Sequence, residues 1–206
     1  MLGFYNYTVV LTYLGMLLGF TGLTCAAGGR LHTALLCLMA AGVCDMFDGK
    51  IASTMQRTLA ERRFGIQIDS LSDLICFGVL PAGIVWSMAP DRTVTFVVSG
   101  LYVLAALIRL AWFNVDEEER QSRCDGPREV YLGLPVTTSA LLLPALLALL
   151  QLRGRPLAGA GTALLAGMGV AFLTPFRLKK PQLPGKLGML LCGCGTLVLL
   201  LLGVEL

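Results

Sequence analysis

Seven apolar stretches dominate this chain and restrict what it can fold into. They run over about 5–26, 31–52, 66–89, 93–114, 133–152, 157–174 and 186–204. A helix needs about 20 apolar residues to cross the hydrocarbon core of a bilayer, and in that core every backbone polar group must be paired internally. The stretches therefore predict membrane-spanning helices, of which the sixth is short and rich in glycine. The expected fold is all-α, a polytopic transmembrane helix bundle forming a single domain over 1–206. Composition agrees with this. Of 206 residues, 56% are hydrophobic and 14% charged, against roughly 25% charged in soluble domains. The opening MLGFYNYTVVLTYLGMLLGF carries neither a basic leader nor an A-x-A cleavage site. It is read as a retained first helix and not as a signal peptide.

Charge orients the bundle. With the N-terminus inside, twelve of the sixteen Lys and Arg residues fall on one side, and only Arg30, Arg92, Arg153 and Arg155 on the other. Cytoplasmic loops carry this excess of Lys and Arg, so the N-terminus is expected in the cytoplasm, with a bacterial cell membrane as the expected location. The net charge of +3, with no basic run among aromatics, argues against nucleic acid as a partner. The seven cysteines form no C-x-x-C pair and read as small buried hydrophobes. His32 is the only histidine and no G-x-S-x-G elbow accompanies it, which leaves neither a Ser-His-Asp hydrolase nor a His-rich zinc centre.

The informative stretch is CDMFDGKIASTMQRTLAERRFGIQIDSLSDLICFGVLPA, from Cys44 to Ala82. Asp45 and Asp48 are three apart, and Asp69 and Asp73 four apart; on a helix each spacing puts both carboxylates on one face. The second span ends and the third begins at the same membrane side, so all four acids are expected at one depth. Intramembrane acids are costly and usually mark functional sites, and clustered carboxylates repel one another unless cations are present. One or two divalent ions are the simplest compensation, and oxygen-only ligands favour magnesium, manganese or calcium over zinc. The competing reading pairs these acids with Lys50, Arg57, Arg62 and Arg63 in a solvated loop, and for Glu61 that reading is the better one. Gly49 and Gly65 stand where backbone or ligand can approach closely, or are packing glycines or caps. Gly15 and Gly19 form a G-x-x-x-G that permits close helix contact, a match that chance explains equally well among 24 glycines. The polar segment Asp116–Tyr131 is expected to be a loop, either a solvated connector or a cover over the substrate.

These residues resemble the signature of the CDP-alcohol phosphatidyltransferases, D-x2-D-G-x2-A-R-x8-G-x3-D-x3-D. Here it reads Asp45-x2-Asp48-Gly49-x2-Ala52-Ser53-x11-Gly65-x3-Asp69-x3-Asp73. Two departures stand out: Ser53 replaces the family arginine, and the connector to the second glycine is three residues longer. Arg57, one turn further on, is the candidate substitute. Within the family the nearest likeness is to phosphatidylserine synthases. It is carried by FGIQIDSLSDLICFGVLPA, by ALIRLAWFNV (Ala106 to Val115), in which Trp112 replaces a second arginine, by LGLPV (Leu132 to Val136) and by NYTVVLTYLG (Asn6 to Gly15).

The resemblance implies a six-helix core over about 1–183 and an additional helix at about 186–204. It implies that Asp45, Asp48 and Asp69 bind metal, and that Asp73 both touches metal and acts as general base. Gly49, Ala52, Gly65 and Arg57 would line the nucleotide or substrate site. Arg109 and Arg128 would hold phosphate or the serine carboxylate, or else be interface arginines that snorkel. Asn114 and Thr12 would line the site, unless Thr12 bonds its own helix backbone. The implied substrates are CDP-diacylglycerol and L-serine, the implied cofactor two divalent ions, and a homodimer is among the implied assemblies. The alternatives are a transferase of the same family with glycerol 3-phosphate or inositol as acceptor, a divalent-cation carrier, and an inactive scaffold.

Overall fold

The structure is a computed structural model that describes residues 3–89, 92–123, 130–179 and 183–202. Seven helical rods and one pair of short strands make up the regular elements of the described residues. A 3-10 turn, Tyr7–Val9, leads into α1, Val10–Ala27; Asn6 caps the turn by accepting the Thr8 amide at 3.2 Å. The chain then reverses through Gly28 and Gly29. Gly29 takes a φ of +75°, and the amides of Gly29 and Arg30 bond the carbonyls of Ala26 and Cys25. Those are the two bonds of a Schellman ending, for which glycine is the favoured residue. Helix α2, Leu31–Ala52, follows directly.

The third rod is continuous from Leu59 to Ser87. It comprises α3, Leu59–Asp73, a π-helical segment, Leu74–Val79, and α4, Leu80–Ser87. It starts about two turns before the predicted residue 66. The cause is a capping box: Thr58 Oγ1 accepts the Glu61 amide at 3.3 Å, and Glu61 Oε2 accepts the Thr58 amide at 2.8 Å. Reciprocal bonds of this kind satisfy donors that a helix start leaves open. Glu61 therefore works as a helix cap, on a helix in place of the expected loop, and it keeps the expected basic neighbour in Arg57.

Helix α5 spans Thr93–Arg123 and also overruns its predicted end at 114. Asp116 to Arg123, expected as loop, is helical, since Asp-Glu-Glu-Glu-Arg-Gln-Ser-Arg lacks Gly and Pro and is dominated by good helix formers. Arg128, one of the expected substrate residues, lies outside the described residues. Strand β1, Val130–Leu132, then pairs antiparallel with β2, Arg177–Lys179, placing Val130 opposite Lys179 and Leu132 opposite Arg177. Gly133 follows with a φ of +74°, and a Cβ there would meet the Thr174 carbonyl at 3.0 Å. Helix α6, Ser139–Leu152, enters through a 3-10 turn at Val136–Thr138; α7, Leu157–Leu173, and α8, Leu183–Leu201, complete the bundle.

Among the described residues three helices are long and apolar enough to cross a membrane: Tyr7–Ala27, Leu59–Ser87 and Thr93–Glu119. The apolar segments Val136–Leu152 and Leu157–Leu173 are shorter than predicted, while α8 starts three residues before the predicted 186. Large apolar side chains, among them Leu17, Phe20, Val94, Leu101, Leu104 and Leu197, are exposed, as suits a surface that meets lipid. Apolar area drives little association between helices in lipid, so close packing must hold them. Helix α1 supplies it with glycines. A Cβ on Gly19 would lie 2.7 Å from Cys76 Sγ, and one on Gly22 would lie 2.9 Å from Leu80 Cδ2. The Gly15–Gly19 pattern is thus a true contact: the Cys76 thiol donates to the Gly15 carbonyl at 3.2 Å. Leu35 and Leu38 of α2, Leu80 and Ile84 of α4, Leu143 of α6 and Leu165 of α7 are fully buried between the rods.

Candidate active site

The end of α2 meets the middle of the third rod where α1 packs on both of them; Asp69 and Asp73 lie there, and not at the rod's start as expected, because the rod begins at Leu59. Asp45 and Asp48 lie in the last two turns of α2, and Asp69 and Asp73 in the last turns of α3. One carboxylate oxygen from each of Asp45, Asp48 and Asp69 comes within 4.8 Å of the other two. Asp73 sits one turn beyond Asp69 and within electrostatic reach of the other three acids. All four are half-buried, and among the described residues no Lys or Arg pairs with them. The nearby basic residues are engaged elsewhere: the Lys50 ammonium lies 5.4 Å from the Phe47 ring centre, and exposed Arg63 reaches Glu118 at 3.9 Å.

The donor set fits a divalent ion. Oxygens on opposite sides of a calcium ion lie about 4.6–5.2 Å apart, and those on magnesium about 4.0–4.2 Å. Three carboxylates inside 4.8 Å can therefore close on one hard cation with small side-chain movements. A trio made of oxygen ligands alone, with neither nitrogen nor sulfur, points away from zinc.

Neighbouring side chains hold the acids in place. Thr12 of α1 is buried and its hydroxyl donates to Asp48 Oδ2 at 3.3 Å; it bonds across helices and not to its own backbone. Ser72 Oγ, buried on α3, donates to the Thr12 carbonyl at 3.3 Å. On the opposite flank Ser70 Oγ donates to Asn114 Oδ1 of α5 at 2.9 Å. The spacing of the acids does not single out Ser70 and Ser72, although Asp-Ser-Leu-Ser-Asp interleaves hydroxyls with acids in plain view. Arg109 of α5 is only 8% exposed, so it is a buried arginine and not a snorkelling one.

The remaining expected residues divide between open and occupied positions. Gly49 has nothing within 4 Å of where a Cβ would stand, so free space borders Asp48. Ala52 lies in the last turn of α2, half-buried. Gly65, one turn before Asp69, is covered by the Arg57 guanidinium, whose Nη1 would sit 3.1 Å from a Cβ there. Ser53, at the family arginine's position, bonds its own helix through the Lys50 carbonyl at 2.7 Å. Arg57 thus lies over Gly65, one turn before Asp69.

Comparison with known proteins gives the family. A family model described as CDP-alcohol phosphatidyltransferase matches residues 5–175, a segment that contains every acid above and ends before α8. A CDP-diacylglycerol–serine O-phosphatidyltransferase of Mycobacterium tuberculosis is 31% identical over 140 residues, covering 68% of this chain and 48% of the relative. An archaetidylserine synthase of Methanothermobacter thermautotrophicus is 32% identical over 126 residues, 61% of this chain and 50% of the relative. A CDP-diacylglycerol–serine O-phosphatidyltransferase of Saccharomyces cerevisiae is 36% identical over 105 residues, 50% of this chain and 37% of the relative. The chain spans about half the length of the curated relatives it matches.

Proposed function

The chain belongs to the CDP-alcohol phosphatidyltransferase family, and from that premise we propose that it moves the phosphatidyl group of CDP-diacylglycerol to the hydroxyl of L-serine. The products are phosphatidylserine, which stays in the bilayer, and CMP. The observation that carries this reading is the convergence of Asp45, Asp48 and Asp69 from two helices, without a basic partner among the described residues, inside the matched segment. The choice of serine rests on the relatives, whose names differ in the lipid and agree on serine.

Asp45, Asp48 and Asp69 would hold one or two divalent ions, magnesium or manganese first and calcium also, with Asp73 at their edge. An ion held by these carboxylates would supply positive charge to offset the charge that builds on the leaving CMP. Asp73 takes the hydroxyl proton of serine, a poor nucleophile at neutral pH without a positioned base. The serine oxygen bonds to the phosphorus that bears the diacylglycerol. The pyrophosphate P–O bond to CMP breaks, and CMP leaves with the electron pair. Thr12 keeps the Asp48 carboxylate turned into the cluster. Gly49 and Ala52 leave room beside it for the nucleotide. Arg57 and Arg109, with Arg128 as a further candidate, meet phosphate or the serine carboxylate, both of which suit the guanidinium fork. Asn114, fixed by Ser70, forms the wall on the α5 side. The Lys and Arg asymmetry of the loops supports a site at the cytoplasmic face of an integral membrane protein.

The test incubates purified protein, CDP-diacylglycerol and manganese with serine, glycerol 3-phosphate or inositol in separate reactions. CMP release with serine alone is the expected result. Release only with one of the other two acceptors assigns that acceptor instead, and release with none returns the chain to the carrier or scaffold reading.

A further inference from the structure

The third rod changes its winding directly after Asp73. The segment Leu74–Val79 is π-helical, and the Leu80 amide bonds the Ile75 carbonyl five residues back. The sequence supplies one cause. In an α-helix the Phe77 carbonyl would accept from the amide of residue 81, but residue 81 is Pro and has none. Phe77 is 1% exposed, so its carbonyl cannot turn to water, and a buried carbonyl demands a partner. Two hydroxyls from other helices supply it: Tyr102 of α5 donates at 2.7 Å and Ser139 of α6 at 3.2 Å. Both donors are buried, Tyr102 at 1% and Ser139 at 0% exposure. Gly78 makes the approach of α5 feasible, since a Cβ there would stand 3.3 Å from the Ala106 Cβ, one turn along from Tyr102.

A π segment acts as a one-residue insertion, which rotates the helix before it by about 100° relative to the helix after it. Helix α4 is fixed by buried Leu80, Ile84 and Val85, so the half that would turn on relaxation is α3, with Asp69 and Asp73. We propose that Tyr102 and Ser139 are positioning residues: by holding the Phe77 carbonyl they keep the π winding that aims Asp69 and Asp73 at Asp45 and Asp48. This deepens the transferase reading and rests on it for the catalytic readout, while its metal readout stands apart.

The test compares wild type, Tyr102→Phe/Ser139→Ala, and the same pair with Pro81→Ala, which gives the Phe77 carbonyl a backbone donor and makes α winding self-sufficient. Manganese binding is measured by electron paramagnetic resonance without substrate, alongside thermal unfolding in detergent and CMP release with serine. The double variant is expected to bind manganese about tenfold more weakly and to lose about 100-fold in kcat, as misplacement of reacting groups does, with the serine KM little changed. Adding Pro81→Ala is expected to restore the thermal midpoint but neither manganese affinity nor kcat. Recovery of all three together would overturn the proposal, because the hydroxyls would then be structural supports only. Wild-type manganese affinity in the double variant would overturn it as well. If the double variant does not fold, Tyr102→Phe with and without Pro81→Ala carries the same comparison, with Ser139 retained. A wild-type protein that binds manganese yet releases no CMP with serine would sink the acceptor reading and leave the manganese comparison to decide this one.

Discussion

The hydroxyl of Thr12 donates to Asp48 Oδ2 at 3.3 Å, and the Thr12 carbonyl accepts from Ser72 Oγ at the same distance. One residue of α1 thereby ties the acidic end of α2 to that of α3. Removing the hydroxyl while keeping the shape isolates the tie. Thr12→Val is expected to leave the folded yield unchanged and to weaken metal affinity about tenfold, the lower range for groups that support metal ligands. The check is a manganese titration of CMP release: the half-saturating manganese concentration should rise while the maximal rate at saturating manganese stays near wild type.

Asp73 sits beside the trio whose oxygens converge, not within it, which suits a proton acceptor adjoining a cation site. Asp73→Asn keeps size and polarity but cannot take a proton. It is expected to lower turnover by about 100- to 10,000-fold, the span attributed to a positioned general base, with manganese binding and elution as a folded species retained. Turnover like that of wild type would remove Asp73 from the base role.

Four half-buried acids without basic partners among the described residues repel each other, so a bound cation should stabilise the fold as well as activate it. A ligand that binds only the native state adds about 2.7 kcal/mol at 100 times its dissociation constant. Treatment with a chelator is expected to abolish CMP release and lower the thermal midpoint. Manganese or magnesium should restore both, and zinc should restore neither. Asp48→Ala should lose the activity and the metal-dependent part of the midpoint together.

Much of the site is legible in the sequence because its spacing is local. Asp45, Asp48, Asp69 and Asp73 keep helical intervals that name a common face, and the apolar stretches say that the helices cross lipid. The limits lie where structure depends on polar helices or distant partners. Hydropathy cannot see that Leu59 to Gly65 is helical, since that stretch is rich in charge; the Thr58-x-x-Glu61 capping box is the signal that carries it. The same blindness hides the helical run from Asp116 to Arg123. The π winding after Asp73 depends on Tyr102 and Ser139, which lie in later helices, so Pro81 alone cannot announce it. Strand β1 pairs with residues more than forty positions away, and no short window contains such a pairing.

Two glycines of similar appearance in the sequence have opposite surroundings, and they make a paired test. A Cβ on Gly19 would lie 2.7 Å from Cys76 Sγ and 3.3 Å from the Cys76 Cα, so any side chain there must force α1 off the third rod. Overpacking of this kind costs about 1–3 kcal/mol, and here it also pulls Thr12, two turns away, off Asp48. Gly19→Leu is expected to lower the thermal midpoint and to reduce activity through loss of folded protein. Gly49 meets nothing within 4 Å and lies inside α2, where alanine is favoured over glycine by up to about 1 kcal/mol. Gly49→Ala is therefore expected to hold or raise the midpoint while reducing CMP release, because the new methyl enters the space beside Asp48 that the nucleotide would use. Thermal unfolding and CMP release measured on the same preparations separate the two cases. A Gly49→Ala protein as active as wild type would show that the free space beside Asp48 is not where the nucleotide lies.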